Sequence, residues 1–450
     1  MGNETGALID TACLAVAKAE QKGAEVAEAY ICKTNELNIE VRSGRVDTMK
    51  LAEDIGLGLR VIRNGKTGFA FTSELSSTAL QEVTEQALIN CYHTAEDPYQ
   101  RLPQLSEYYQ QLDINDPGIK AATVEQKIEM AQSVEAAALS FDQRVKVIES
   151  STYQDGEAVI TVANSHGLVL SYQSAFCGVY IALVASDGND SQTGFALDYN
   201  LKYDRLKPDE VGREAARRAV RMLGAAPVAT RRGAVVLEPF VATGFLSLIA
   251  PGLTAEAVQK GRSFFAGKTG TQVVSNKLTV IDDGALPGGI SSAPFDGEGV
   301  ATSRTLLLDK GILRGYLYNT YTAAIDDVQS TGNGVRHSFK DTPEVGTTNF
   351  FFENGTEPLE KMLADIKDGI YVTEVMGMHT ANPISGDFSV GVAGILIENG
   401  ELTKPVRGMA IGGNILDLLS KVDGVGNDLK FFGGKGSPSL RVSELTISGR

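Results

Sequence analysis

The tetrapeptide Thr-Gly-Phe-Ala occurs twice, at 67–70 and at 193–196, and each copy closes a run of strand-like sequence flanked by helical patterns. A repeated order of elements constrains the fold strongly, because each copy is a supersecondary unit that needs a neighbour to bury its apolar face. In the first copy Leu8, Ile9, Ala12, Leu14, Ala15 and Ala19 form a helical stripe that ends near Gly23. Alternating strands follow in "EAYICKT", "LNIEVRS", "RVDTMKLA", "IGLGLRVIRN" and "KTGFAFTS", with a hairpin signal at Asn64-Gly65. The helix "SSTALQEVTEQALINCY" closes the unit. After a Pro-bearing loop over 96–118, the helix "VEQKIEMAQSVEAAALSF", strands between Val145 and Tyr199, and the helix "PDEVGREAARRAVRML" repeat that order. Residues 1–223 therefore read as a duplicated helix, antiparallel meander, helix domain.

The stretch "GAAPVATRRG" at 224–233 is built of small residues around a Pro, has no helical period, and reads as a linker. Residues 234–450 change character, to short strands and many glycines. Asp309-Lys310-Gly311 and Glu398-Asn399-Gly400 each lie between a pair of apolar runs and predict hairpins. Helices are expected to be few there, chiefly after Pro239, in "EPLEKMLADIKDG" and in "GGNILDLLSKV". The fold class is α+β, with a mostly β domain behind the duplicated one.

With 41 basic and 56 acidic residues the net charge is -15, and no cationic run stands out, so a phosphate backbone is a poor partner and nucleic acid is not expected. Cys13, Cys32, Cys91 and Cys177 are scattered without a CxxC pair and read as buried small hydrophobes of a reducing compartment. The first residues lack a basic region followed by an apolar core, and no apolar stretch is long enough to span a bilayer. A cytoplasmic protein with no membrane partner is expected.

Residues 231–252, "RRGAVVLEPFVATGFLSLIAPG", run from a strand through Glu238-Pro239 into a helix, a place where enzymes often hold reactive groups, yet they contain one carboxylate and no His or Cys. The four histidines, His93, His166, His337 and His379, lie far apart, and neither an HExxH nor an HExxxH zinc helix is present. No GxSxG elbow occurs. "GKTG" at 65–68 and 267–270 lacks the upstream glycine of a phosphate loop, because Arg60 and Arg262 stand there. The loop over 330–355 is harder to dismiss. Gly332, Asn333 and Gly334 permit unusual backbone angles, and Arg336 and His337 follow before the strand "TTNFFFENG". Such a loop either presents donors to an extended peptide at a sheet edge or is a turn whose Arg pairs with a nearby carboxylate. The stretch 381–391, with Asp387, shares that ambiguity.

"NSHG" at Asn164, "GRSFFAGKTGTQV" from Gly261, "DDGALPGG" from Asp282, "PFDGEGVATSRTLLLDKGILRGYLYNTYTA" from Pro294, "TGNGVR" from Thr331, "SGDFSVG" from Ser385 and "VGNDL" from Val425 occur in order. Through them the chain resembles the TldD/TldE (PmbA) family over essentially its whole length. The resemblance implies a cytosolic metallopeptidase, historically called a modulator of DNA gyrase, in which a TldD and a TldE subunit enclose a peptide channel. TldD-type chains carry an HExxxH helix after the first strand of the C-terminal domain and a cysteine ligand near the C-terminus. Here "VVLEPFVATGFLS" and "LKFFGGKGSPSLRVSEL" have neither, and without two imidazoles and a thiolate zinc has no such site to activate water. The resemblance is therefore to the TldE/PmbA type: no catalytic or metal residues of its own, no cofactor in this chain, and zinc expected in a TldD-type partner. It nominates Asn333, Arg336 and Asp387 for the peptide channel. Pairing with a TldD-type chain or with a second copy is expected, with extended peptides as substrate. The alternatives are an independent peptidase with dispersed ligands such as His337 or His379, and a protein-binding modulator without proteolysis.

Overall fold

The first copy comprises α1 (Gly2–Gln21), β1 (Val26–Arg42), β2 (Arg45–Arg63), β3 (Lys66–Thr72) and α2 (Ser77–His93) in the computed structural model, which describes residues 2–449. A short helix, α3 (Pro117–Ala121), leads into α4 (Val124–Phe141), β4 (Val145–Asn164), β5 (Val169–Ser186), β6 (Ser191–Asn200) and α5 (Pro208–Arg221). The strands form one antiparallel sheet in the order β3-β2-β1-β4-β5-β6, so the two copies join along β1 and β4. Ser76 caps α2 by accepting from the Ala79 N–H at 3.2 Å, and Thr123 and Gln126 form a reciprocal cap on α4. Caps of this kind stabilise a helix by about 1 kcal/mol each.

The repeated tetrapeptide has a steric cause. A Cβ on Gly68 of β3 would stand 2.0 Å from the Ala87 carbonyl oxygen of α2, and one on Gly194 of β6 would stand 2.2 Å from the Ala215 oxygen of α5. In both copies the closing helix touches the sheet backbone at the same residue of the repeat.

One expectation is corrected. "EAYICKT" and "LNIEVRS" are two halves of β1, a strand of 17 residues, and "RVDTMKLA" and "IGLGLRVIRN" are two halves of β2. The polar run Thr34-Asn35-Glu36 marks no break, because its backbone stays laddered to Asp54-Glu53-Ala52 on one side and Ala158-Glu157-Gly156 on the other. The length serves two cores. Ala27, Ala29 and Ile31 pack with apolar residues of α1 and α2, whereas Leu37, Ile39 and Val41 pack with those of α4 and α5.

The opposite face of this sheet meets later chain. Tyr30, Ile160 and Val162 cluster with Leu168, Phe295 and Phe339. Gly56 and Gly58 of β2 make room, since a Cβ would stand 2.2 Å from the Phe339 ring in the first case and 2.3 Å from the Phe339 carbonyl oxygen in the second.

Beyond α5, the strands Glu401–Asn414, Asp387–Glu398, Asp368–Met376, Arg231–Leu237 and Leu440–Ser448 pair in that order, and the first also pairs with the last, which closes them into a ring. The strand Arg231–Leu237 begins inside the 224–233 stretch. A second sheet follows the order Ile312–Leu313, Arg304–Asp309, Val280–Asp283, Phe350–Phe352, Lys435–Ser437, Lys430–Phe432. The helix Pro239–Ile249 shares one core with both, through Phe245, Leu246 and Ile249 beside Val280, Phe350 and Val372. The two expected hairpins form with left-handed central residues, φ 47° and 78° at Lys310-Gly311 and 52° and 85° at Asn399-Gly400. Cys91 and Cys177 are buried as expected, but Cys13 and Cys32 are only half-buried. Among the described residues no helix is long and apolar enough to cross a membrane.

Candidate functional site

The loop that carries Asn333 and Arg336 is anchored where the first sheet meets the later chain. Asn333 is buried; its Nδ2 donates to Asp282 Oδ2 at 2.7 Å and to the Gly346 carbonyl at 3.0 Å, and its Oδ1 accepts from Thr331 Oγ1 at 2.7 Å. The Thr348 N–H and hydroxyl also donate to Asp282, at 2.7 and 2.8 Å. Burial pushes Asp282 up to about 6, against the pull of these donors toward the ionised form. Asp296 holds the next turn. Its carboxylate accepts from the N–H groups of Glu298, Val300 and Gly334 at 2.9, 3.0 and 2.7 Å, while burial and the neighbouring Glu298 raise its pKa.

Arg336 extends this network into the first domain. Its side chain is 1% exposed; Nη2 donates to Glu28 of β1, Nε to the Gly297 carbonyl at 2.8 Å and Nη1 to the Asp341 carbonyl at 2.9 Å, and the guanidinium lies over the Tyr30 ring at 4.9 Å. Glu28 in turn accepts from Arg60 of β2 at 2.9 Å, and Arg60 reaches Glu298 at 3.1 Å. Burial lowers the pKa of Arg336 despite Glu28; burial also opposes the charge of Arg60, but Glu28 and Glu298 together hold its pKa above the ordinary value. Of the two readings of this Arg, the structure shows a carboxylate pairing, but in a buried junction instead of a surface turn. Asp387 stands apart from the network. It is exposed and accepts from Ser385 Oγ at 2.8 Å and Asn414 Nδ2 at 3.0 Å, bonds that hold its pKa below the ordinary range.

Sequence reasoning missed Glu28, Arg60, Asp282, Asp296 and Glu298 as members of this network. Asp282, Asp296 and Glu298 lie in the motifs that carry the family resemblance, and Arg60 interrupts the apolar run Leu57–Ile62, which is the visible signal of a buried charge seeking a partner. Asn164 of "NSHG" is a turn former: its Oδ1 accepts from the His166 N–H at 2.9 Å and its Nδ2 donates to the Pro103 carbonyl at 3.0 Å.

The strand-to-helix unit at 231–252 is filled by packing. Glu238 is buried, and both of its oxygens accept from Arg221 Nη2 at 3.2 Å, with Arg218 at 3.8 Å. Phe240, on the first turn, stacks edge-on between Phe195 of β6 at 4.9 Å and Phe432 at 5.1 Å. A carboxylate already matched to arginines and a helix of apolar residues do not fit a zinc ion. Among the described residues no three His, Cys, Asp or Glu side chains gather as a metal cluster. His337 is exposed beside Glu344 at 2.9 Å, His379 is exposed, His93 is exposed beside Tyr92, and the His166 ring lies 3.0 Å from Gln104.

Two hollows flank the anchored loop. One, of about 250 Å³, is lined by Tyr30, Tyr172, Asp296, Arg336 and Thr348, and the other, of about 430 Å³, by the end of helix Pro239–Ile249 and Lys435; Thr347 borders both.

Profiles of the PmbA/TldA metallopeptidases match the chain in three consecutive segments: domain 1 at 27–91, the central domain at 117–223 and the C-terminal domain at 230–449. The chain belongs to this family. Among its PmbA/TldD relatives, the metalloprotease PmbA of Escherichia coli O157:H7 is 29% identical across 97% of this chain and 94% of its own length. A metalloprotease TldD homolog of Buchnera aphidicola is 26% identical across 88% and 87%. A solved structure from Thermotoga maritima, described as a candidate modulator of a DNA gyrase, superposes with a TM-score of 0.91 at 28% identity, covering 98% of this chain and 99% of that one. TldE from Thermococcus kodakarensis, at 22% identity and TM-score 0.89 over 96% and 99% of the two chains, shares the fold. The PmbA/TldD assignment thus rests on the whole chain, and the α+β architecture is that of its solved relatives.

Proposed function

We propose that this chain is the TldE/PmbA-type subunit of a cytosolic two-chain peptidase: it shapes the path of an extended peptide, and a TldD-type partner carries the zinc. The observation that carries this reading is the occupied strand-to-helix unit, where Phe240 packs between Phe195 and Phe432 and Glu238 is matched to arginines. A site built to hold a cation leaves donor atoms free around a space; this one leaves neither. The relatives named as PmbA and TldD metalloproteases support a peptide as the substrate class. In this reading Asn333 and Arg336 set the shape of the 338–348 segment from beneath, because their donors are already engaged, and Asp387 orders the turn that precedes its strand. The net charge of -15 counts against direct contact with DNA.

The test is peptide turnover by this chain, by a TldD-type chain with the HExxxH helix, and by the two mixed. Chelator-sensitive turnover in the mixture well above the sum of the separate chains is expected. A mixture no faster than the partner alone, with no complex on gel filtration, would remove the subunit reading.

A further inference from the structure

The larger of these two hollows has a net positive lining. Lys260, Arg262 and Lys435 line it against one carboxylate, Glu256, in a chain whose net charge is -15. Glu256 is engaged by Lys260 as an i,i+4 pair, and among the described residues Arg262 and Lys435 have no carboxylate within salt-bridge distance. Lys435 is placed by a tight turn: Phe432 pairs with Lys435 across Gly433-Gly434, Gly433 has φ 64°, and a Cβ on Gly434 would stand 2.4 Å from Ser291 Oγ. The Lys435 backbone is laddered to Phe350, which fixes where the side chain leaves the sheet. Burial pulls its pKa below the ordinary lysine range, with no carboxylate acting in the other direction. A half-buried ammonium without a counter-ion is costly unless an anion arrives. The remaining wall is small and apolar at Ala250, Pro251 and Val345, beside the hydroxyl of Thr347.

We propose that this cleft binds the free C-terminal carboxylate of a peptide, with Lys435 and Arg262 as its charge partners and the small apolar wall receiving the last side chain. A volume of about 430 Å³ suits a terminal residue or two and is too small for a folded partner. The ligand class rests on the peptide-subunit reading; the anion preference rests on the cleft itself. The site would give the complex a way to hold one end of an unfolded chain, which favours short or terminal segments over internal ones.

The test is binding of a fluorescent apolar hexapeptide to the full-length chain, as the free acid and as the C-terminal amide, followed by fluorescence polarisation. The free acid is expected to bind about tenfold or more tightly than the amide, as for a hydrogen bond to a charged group. Lys435→Met should remove most of that preference, and Arg262→Met a smaller share of it. Equal affinity for acid and amide, or a preference unchanged in Lys435→Met with native circular dichroism, overturns the proposal. Inorganic phosphate separates the sources of the anion: displacement of the acid only above tens of millimolar supports a peptide carboxylate, and displacement at micromolar phosphate overturns it in favour of a phosphate site. The two readings fail separately. Turnover intact in the mixture with no acid preference removes this proposal alone, whereas acid preference with no effect on any partner removes the subunit reading and leaves this one.

Discussion

At the scale of single residues, Arg336 and Glu28 are separated by 308 positions and meet in a junction where the Arg side chain is 1% and the Glu side chain 0% exposed. Two charges so deeply buried gain little over an apolar pair, but removing one leaves the junction of Glu28, Arg60, Glu298 and Arg336 with an unmatched charge. Arg336→Met is therefore expected to cost about 3–5 kcal/mol by urea denaturation, and adding Glu28→Gln to it should recover some of that loss. A loss under about 1 kcal/mol, the range of an exposed pair, would contradict the buried pairing. Asp282 gives a pH signature. The folded protein keeps its proton up to about pH 6, while in the unfolded chain it leaves near the ordinary carboxylate value of 3.8. Between these the folded state binds more protons, so this group's contribution falls as pH rises through the window. Melting curves of the parent and Asp282→Asn from pH 4 to 7 should show the parent losing stability relative to the variant, and a flat difference would contradict the raised pKa.

At the scale of elements, close approach and turn chemistry carry the fold. Gly194→Ala forces a methyl against the α5 backbone and is expected to destabilise by about 1–3 kcal/mol, whereas Gly6→Ala, with nothing within 4 Å of its Cβ in α1, should stabilise by about 0.5–1 kcal/mol. Chemical denaturation of both variants checks the contrast; equal effects would contradict the tight packing. Lys310 adopts φ 47° in its hairpin, a strained angle for a lysine. Lys310→Gly should gain a few tenths of a kcal/mol to about 1 kcal/mol in the same assay. The elements were legible where the signal is local. Asn64-Gly65 and Asn399-Gly400 announce turns by residue type, and the twin tetrapeptides announce a repeat by a glycine that only a helix pressed on a strand requires. The full length of β1 was not legible, because its polar midpoint is excused only by neighbouring strands that the sequence does not display.

At the scale of the whole molecule, the junction of Glu28, Arg60, Glu298 and Arg336 ties the first sheet to the chain that follows it. The glycine-rich loop without periodicity singles out the segment, which is local information, and the family resemblance nominates Asn333 and Arg336 within it. Their partners were not legible, since nothing in "VAEAY" tells that Glu28 faces an arginine 308 residues on. The same limit hid Lys435, whose isolation is visible only once Phe350, Val345 and the end of helix Pro239–Ile249 enclose it. The central claim is that the strand-to-helix unit of this chain is a packed core and holds no hydrolytic metal. Its most direct test is the metal content of the purified chain by elemental analysis after growth with added zinc, read together with its own peptide turnover. Far less than one zinc per chain and no chelator-sensitive cleavage are expected; one tightly held zinc per chain, with cleavage that stops on its removal, would show that the unit holds a hydrolytic metal after all.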